Sequence, residues 1–252
     1  MDIKEQLQHD LEYLRLLRIK EIHEEAARES SEKNLSHIEY LAKVISEEAS
    51  ARFQRSVTAR IHQARFSVIK TVDGFDFNHP ENINKQQILK VLDMDFIEDN
   101  KNVIILGPPG VGKSHIALSI GYKACLKGIR AYFTTAIDAI NHLRASIADN
   151  TFLKCIKQYT GPRLLIIDEL GYLPIDKEGA NLLFQIVSQR YERGSIILTC
   201  NRAFKDWGHI FHDNTIASAV IDRLIHHSEV VKIQGESYRV KDRKTKRKLN
   251  NN

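Results

Sequence analysis

The chain has 252 residues, 42% hydrophobic and 27% charged, enough apolar material for a sizeable core and too much for global disorder. Three scattered cysteines, Cys125, Cys155 and Cys200, form no CxxC pair; this excludes a disulfide scaffold and reads as reduced thiols of a cytoplasmic protein. No apolar run approaches the ~20 residues of a membrane span, the charged N-terminus has no signal-peptide core, and a net charge of +5 is too mild to imply a nucleic-acid partner by itself.

Residues 1–70 contain no Gly and no Pro and read as a helical N-terminal domain. Leu7, Leu11 and Leu14 recur at helical spacing, as do Ile38, Leu41, Ile45, Ala49, Phe53, Val57 and Ile61, with a break around Ser30–Asn34. An apolar stripe must be covered, by the chain itself or by self-association. Residues 52–70 carry Arg52, Arg55, Arg60, Arg65 and Lys70 and no acidic residue. On a helix, Phe53, Val57, Ile61, Ala64 and Val68 would share one face, leaving Arg52, Arg55 and Lys70 on the other to meet phosphates. Residues 71–80, TVDGFDFNHP, read as a linker.

From residue 81 to about 240, short β-branched runs alternate with helix-length segments: 102–106, 129–135, 164–168, 195–199 and 230–233. Five such runs predict a five-stranded parallel sheet flanked by helices. Residues 241–252 read as a basic, flexible tail, and Lys241, Arg243, Lys244, Lys246, Arg247 and Lys248 make it a second candidate for DNA contact.

Gly107-Pro108-Pro109-Gly110-Val111-Gly112-Lys113-Ser114 matches GxxxxGK[ST], follows a predicted strand and opens a predicted helix. Backbone N–H groups of such a loop surround a β-phosphate and the helix end adds partial positive charge. Lys113 can reach the β- and γ-phosphates, Ser114 can ligate Mg2+, and His115 completes the segment expected to bind ATP. The second motif, Leu164-Leu165-Ile166-Ile167-Asp168-Glu169, puts two carboxylates at the C-terminal end of a buried strand, where ligands collect in open α/β sheets. Asp168 suits the metal through water and Glu169 suits a general base for hydrolysis. Asn201, after the run 195–199, can orient the attacking water. His226-His227 offers no further ligand at metal spacing.

The strings GPPGVGKS, LLIIDELGYLP, QRYERGSIILTCN and IDRLIHHSEVVKIQGESYR together resemble the IstB/DnaC group of AAA+ ATPases, and within it the IstB-like helper ATPases that insertion sequences encode beside their transposase. The resemblance covers about residues 40–240. It implies an AAA+ core with sheet order 5-1-4-3-2, little or no C-terminal lid, and nucleotide bound between subunits of a homo-oligomer. It also implies that Arg223 is an arginine finger for the neighbouring subunit and that Arg239 is a second sensor arginine. The expected function is ATP-dependent assembly on duplex DNA, remodelling of that target and recruitment of the element's transposase, with hydrolysis resetting the assembly. The alternative within the group is a DnaC-like helicase loader acting on single strands. A small-molecule kinase would need a substrate lid and acceptor site that the sequence does not offer, and a non-hydrolysing switch sits badly with an intact Glu169.

Overall fold

The computed structural model describes residues 2–238. The chain divides into two units, residues 1–59 and 60–252.

The first unit is helical: α1 (Ile3–Tyr13), α2 (Leu17–Glu32) and most of α3 (His37–Gln63). The leucine spacing predicts one helical segment over residues 1–25, but the chain turns at Arg15, which has φ 55°, so α1 and α2 are separate. The predicted break near Ser30–Asn34 is the α2–α3 turn, with Asn34 at φ 52°. A capping box opens α3: the Ser36 N–H donates to Glu39 Oε2 (2.7 Å) and the Glu39 N–H to Ser36 Oγ (3.3 Å).

The small core of this unit is Leu11, Ile19, Ala26 and Val44, so in the first half of α3 the buried face is not the predicted stripe, although Val57 of that stripe is buried. Ile38 is 80% and Phe53 50% exposed, whereas Val44 and Glu48 are buried. Glu48 explains the one-residue rotation. Its carboxylate accepts the N–H groups of Arg18 (2.7 Å) and Ile19 (3.3 Å) at the start of α2, and Arg55 Nη2 at 2.7 Å. Orphan N–H donors at a helix start are strong anchors for a carboxylate. They bring the Val44–Glu48 face inward.

In the second unit, β1 (Asn82–Ile83), α4 (Lys85–Val91) and α5 (Asp95–Glu98) precede the sheet proper. Then follow β2 (Asn102–Leu106), α6 (Lys113–Leu126), β3 (Ala131–Thr135), α7 (Ala136–Ala148), α8 (Phe152–Thr160) and β4 (Leu164–Leu170). The remainder is α9 (Lys177–Arg190), β5 (Ser195–Cys200), α10 (Trp207–Phe211), α11 (Asn214–Ile225) and β6 (Ser228–Gln234). The sheet order is β1-β6-β2-β5-β4-β3. The five predicted strands are all present and mutually parallel. In order of occurrence they run 5-1-4-3-2, as the resemblance implies. The sheet has a sixth member that the sequence reading lacks: two residues of β1 pair antiparallel with β6, too short to leave a periodic signal.

Alternation along the strands splits the core in two. Ile104, Leu165, Ile167, Ile196 and Leu198 face α7, α8, α9 and α11, while Val103, Ile105, Leu164, Ile166 and Ile197 face α4, α5 and α6. A sheet covered on both faces needs uninterrupted apolar strands, and all five residues of β2 are buried.

The predicted linker 71–80 is part of this second layer. Ala64 is fully buried, and Phe66, Val72, Phe75 and Phe77 pack on the same core. The Phe133 N–H of edge strand β3 donates to the Ala64 carbonyl (2.8 Å). The unit therefore begins near residue 60, some ten residues before the predicted domain end and twenty before the predicted ATPase start. The apolar stripe expected to run to Val68 also stops early: α3 ends at Gln63, Arg65 has φ 55°, and Val68 is half exposed.

The chain leaves β6 at Gln234 with four described residues to follow; the predicted tail lies outside the described residues. No described helix is long and apolar enough to cross a membrane.

Candidate nucleotide site

Three strand ends build the site. The first is the β2–α6 connection, Gly107–Gly112. A Cβ at Gly107 would lie 2.3 Å from the Ile233 carbonyl oxygen, so only glycine lets the loop leave β2 alongside β6. Gly112 has φ 100° and faces the Phe75 ring, which suits it to cap α6 in a left-handed conformation. Lys113 is 4% exposed, and its Nζ donates to the Pro108 carbonyl at 2.8 Å. The ammonium is thus folded back over the loop, where a phosphate seated on the backbone N–H groups would meet it.

The second is the end of β4. Successive strand residues normally point to opposite faces. Here Asp168 is 5% exposed and Glu169 is exposed, yet both line one cavity. The cause is a break in register against β5 between Ile167 and Leu170, with Glu169 at φ 63°. Such a bulge re-aims a side chain at the end of a strand. A positive φ in a glutamate costs on the order of 1 kcal/mol or more, and strain of that kind concentrates at functional sites.

The third is Thr199 on β5, which sequence reading missed. It is buried. Its hydroxyl donates to Asp168 Oδ1 and accepts the Glu169 N–H at 3.0 Å. The same Asp168 oxygen accepts Ser114 Oγ at 2.9 Å. One hydroxyl therefore fixes the buried carboxylate and the displaced backbone together. Its signal in the sequence was a polar residue two places before Asn201, directly after the apolar run Ile196-Ile197-Leu198, overshadowed by the amide.

Around these groups lies a cavity of about 490 Å3, within the range of small-molecule sites. The phosphate loop from Gly110, with Lys113, Ser114 and His115, lines one side, Asp168, Glu169 and Tyr172 another. Residues 67–80 and Tyr238 complete it. The chain after β6 rests on the loop: the Tyr238 N–H donates to the Gly110 carbonyl (3.0 Å), and His79 Nε2 donates to the Glu236 carbonyl (3.1 Å). The residues fit a nucleotide with a divalent cation. An anion cradle, a buried lysine and a serine–aspartate pair of hard oxygen donors occupy one cavity.

The family model of IstB-like ATP-binding proteins matches residues 9–246. The chain belongs to that family. An ATP-binding protein of insertion sequence IS232 from Bacillus thuringiensis subsp. berliner is 42% identical over 94% of this chain and 95% of its own length. That of IS21 from Pseudomonas aeruginosa is 39% identical over 94% and 91%. Among solved structures, the DnaC helicase loader aligns with TM-score 0.53 and 24% identity over 63% of this chain and 95% of its own. DnaI aligns with TM-score 0.58 and 15% identity over 69% and 93%; at such identities the likeness is one of fold. This chain is thus an ATPase of the IstB-like family, with a fold shared with DnaC and DnaI.

Other expected site residues are placed elsewhere. Asn201 does not line the cavity; among the described residues its buried Oδ1 has no hydrogen-bond partner, and it lies where a Cβ on Gly171 would be 2.8 Å away. Arg223 is also outside it, 4.7 Å over the Phe184 ring with Nη1 donating to the Ala219 carbonyl (3.2 Å). Arg239 lies outside the described residues.

The basic residues of 52–70 are not one set. Arg55 and Arg52 sit 2.7 and 3.9 Å from Glu48. Arg60 lies beside Gly128, and Arg65 is exposed, 6.0 Å from the Tyr132 ring. Lys70 lines the nucleotide cavity. The sign count that separated this segment from its neighbours omitted Glu48, one helical turn upstream.

The cysteines carry no site chemistry: Cys125 and Cys200 are buried, and burial pushes the Cys200 thiol up to about 11. His226 and His227 meet Glu192, with donor atoms within 4.8 Å, a partner that spacing along the chain did not offer; all three are exposed.

Proposed function

We propose that this ATPase is a DNA-binding helper for transposition of an insertion sequence. In this reading it assembles with ATP on duplex DNA, remodels the target and recruits the element's transposase, and hydrolysis resets the assembly. The observation that carries the hydrolytic part is the Ser114–Asp168–Thr199–Glu169 arrangement beside Lys113. The mobile-element part is supported by 42% identity, end to end, to an insertion-sequence ATP-binding protein.

Each residue has a task in that reading. Backbone N–H groups of Gly107–Gly112 and the Lys113 ammonium hold the phosphates. Ser114 and Asp168 would hold Mg2+, which when bound supplies charge neutralisation on the β- and γ-phosphates. Glu169 accepts a proton from the attacking water. Asn201 orients that water once the loop carrying Gly171 and Tyr172 moves. Arg223 acts on the nucleotide of a neighbouring subunit, in keeping with its position outside its own chain's cavity, and Arg239 senses nucleotide in its own subunit. The two-unit division suits a helical N-terminal domain for self-association followed by the ATPase domain.

The test is binding to a random-sequence duplex and to a single strand of equal length, with ATP, ADP or no nucleotide, alongside sedimentation. Duplex binding that requires ATP and comes with large assemblies is expected. Preference for single strands would replace this reading by the helicase-loader one, and binding to neither would remove DNA as the ligand.

A further inference from the structure

One wall of the nucleotide cavity comes from residues 67–80, a stretch outside both nucleotide motifs. Within it, Lys70 is half-buried and lines the cavity. Among the described residues its side chain forms no ion pair and no hydrogen bond. Its neighbour is tied to the phosphate-loop helix. His115 Nε2 donates to the Thr71 carbonyl at 2.8 Å. The Phe75 ring stands edge-on to His115 with centroids 5.4 Å apart and packs against Gly112. The backbone of Lys70 is therefore fixed one residue from a contact with the first turn of α6, where the orphan N–H groups of the helix point into the cavity.

We propose that Lys70 is a second nucleotide-binding cation, contacting the phosphate chain of bound ATP or ADP. A partly desolvated ammonium without a carboxylate partner gains most from an anion that enters its own cavity. Two of the carboxylates that share the cavity have other engagements: Asp168 accepts Ser114 and Thr199, and Asp76 accepts the Asn78 N–H at 3.0 Å. Even with Mg2+ held by Ser114 and Asp168, a nucleoside triphosphate keeps about two negative charges, more than Lys113 and the roughly half charge of one helix end offset. This role differs from the duplex contact expected of Lys70 from sequence. It rests on the reading of the cavity as the ATP site.

The experiment measures equilibrium binding of N-methylanthraniloyl-labelled ADP and ATP to the full chain, without DNA, over a range of salt concentrations. Wild type, Lys70→Ala, Lys70→Arg and Lys113→Ala are compared. Loss of one charge-assisted contact predicts about tenfold weaker binding of both nucleotides by Lys70→Ala. It also predicts a shallower salt dependence and substantial recovery in Lys70→Arg. Binding by Lys70→Ala within twofold of wild type, while Lys113→Ala has lost binding, would overturn the proposal and leave the ATP site standing. Undiminished binding by Lys113→Ala would instead overturn the site itself. Weakened binding with an unchanged salt slope and no recovery by arginine would make Lys70 a structural part of the wall and also refute the proposal.

Discussion

Thr199→Val removes one oxygen and keeps the shape of the side chain, so it isolates what the Thr199 hydroxyl does. That hydroxyl donates to the buried Asp168 carboxylate and accepts the Glu169 N–H at 3.0 Å. A hydrogen bond to a charged group contributes about 1.5–3 kcal/mol and a neutral one about 0.5–1.5. Two features reduce the sum. Asp168 keeps the Ser114 hydroxyl at 2.9 Å, and Glu169 is exposed, so water can reach its N–H. The expected loss of stability is therefore about 2 kcal/mol, a fall in Tm of roughly 4–8 °C for a chain of this length. Hydrolysis should fall at least about tenfold, the equivalent of about 1.4 kcal/mol in the barrier, because both carboxylates lose their common support. ATP affinity should change far less, since Lys113 and the loop are untouched. Thr199→Ser, which keeps the hydroxyl, should hydrolyse near the wild-type rate despite losing a buried methyl group. The assays are urea unfolding with the slope m monitored, steady-state phosphate release and nucleotide binding. A Thr199→Val protein with wild-type midpoint and turnover would refute the claim that this hydroxyl holds the site together.

Glu169→Gln should bind ATP with near wild-type affinity and lose hydrolysis; rapid phosphate release by this variant would reject Glu169 as the base. Arg223→Ala should regain part of its hydrolysis when mixed with Lys113→Ala subunits. No recovery at any mixing ratio would count against an arginine acting between subunits. Acid titration should reveal Glu48. Burial is the largest influence on its carboxyl and acts upward. The N–H groups of Arg18 and Ile19 together with Arg55 outweigh it, and hold the group below the ordinary glutamate value of 4.5. A carboxyl lowered in the folded state stabilises fully above the unfolded value and loses that contribution as pH falls through the lowered one. Glu48→Gln should therefore lower stability at neutral pH and flatten the decline on the acid side; an unaltered pH profile in urea unfolding would show that Glu48 contributes nothing.

What the sequence made legible was whatever repeats locally. Five apolar runs became five parallel strands, because a strand buried on both faces must be apolar throughout. The phosphate loop was legible because its residue pattern is contiguous and Gly112 answers to a local backbone demand, φ 100°. Features that depend on distant partners were not. The face of α3 that is buried depends on Glu48 meeting the start of α2, thirty residues away in the chain. The stretch 71–80 has the composition of a linker, yet Phe75 and Phe77 hold it on the core; turn-forming residues between aromatics describe a loop that packs equally well. Thr199 was invisible for a similar reason: its importance comes from a bulge in the neighbouring strand, and nothing in LLIIDEL announces that Glu169 takes a positive φ.

The distribution of charge bears on where DNA would bind. Residues 1–59 carry nine Lys and Arg against twelve Asp and Glu, so the helical unit has no overall attraction for a polyanion. Glu48 takes up Arg55 and approaches Arg52, so those two arginines reach phosphates only by sharing or leaving that carboxylate. Lys70 lines the nucleotide cavity. Of the five basic residues expected at a duplex, Arg65 is exposed with neither an acidic partner among the described residues nor a place in that cavity, whereas Arg60 has its Nη1 buried. Residues 239–252, by contrast, hold seven Lys and Arg and one Asp. A sequence-independent contact draws on whichever cations are not already neutralised. Under the proposed function, net charge along the chain favours the C-terminal segment over the first three helices, whose exposed Ile38, Leu41 and Ile45 suit an apolar partner more than a charged one.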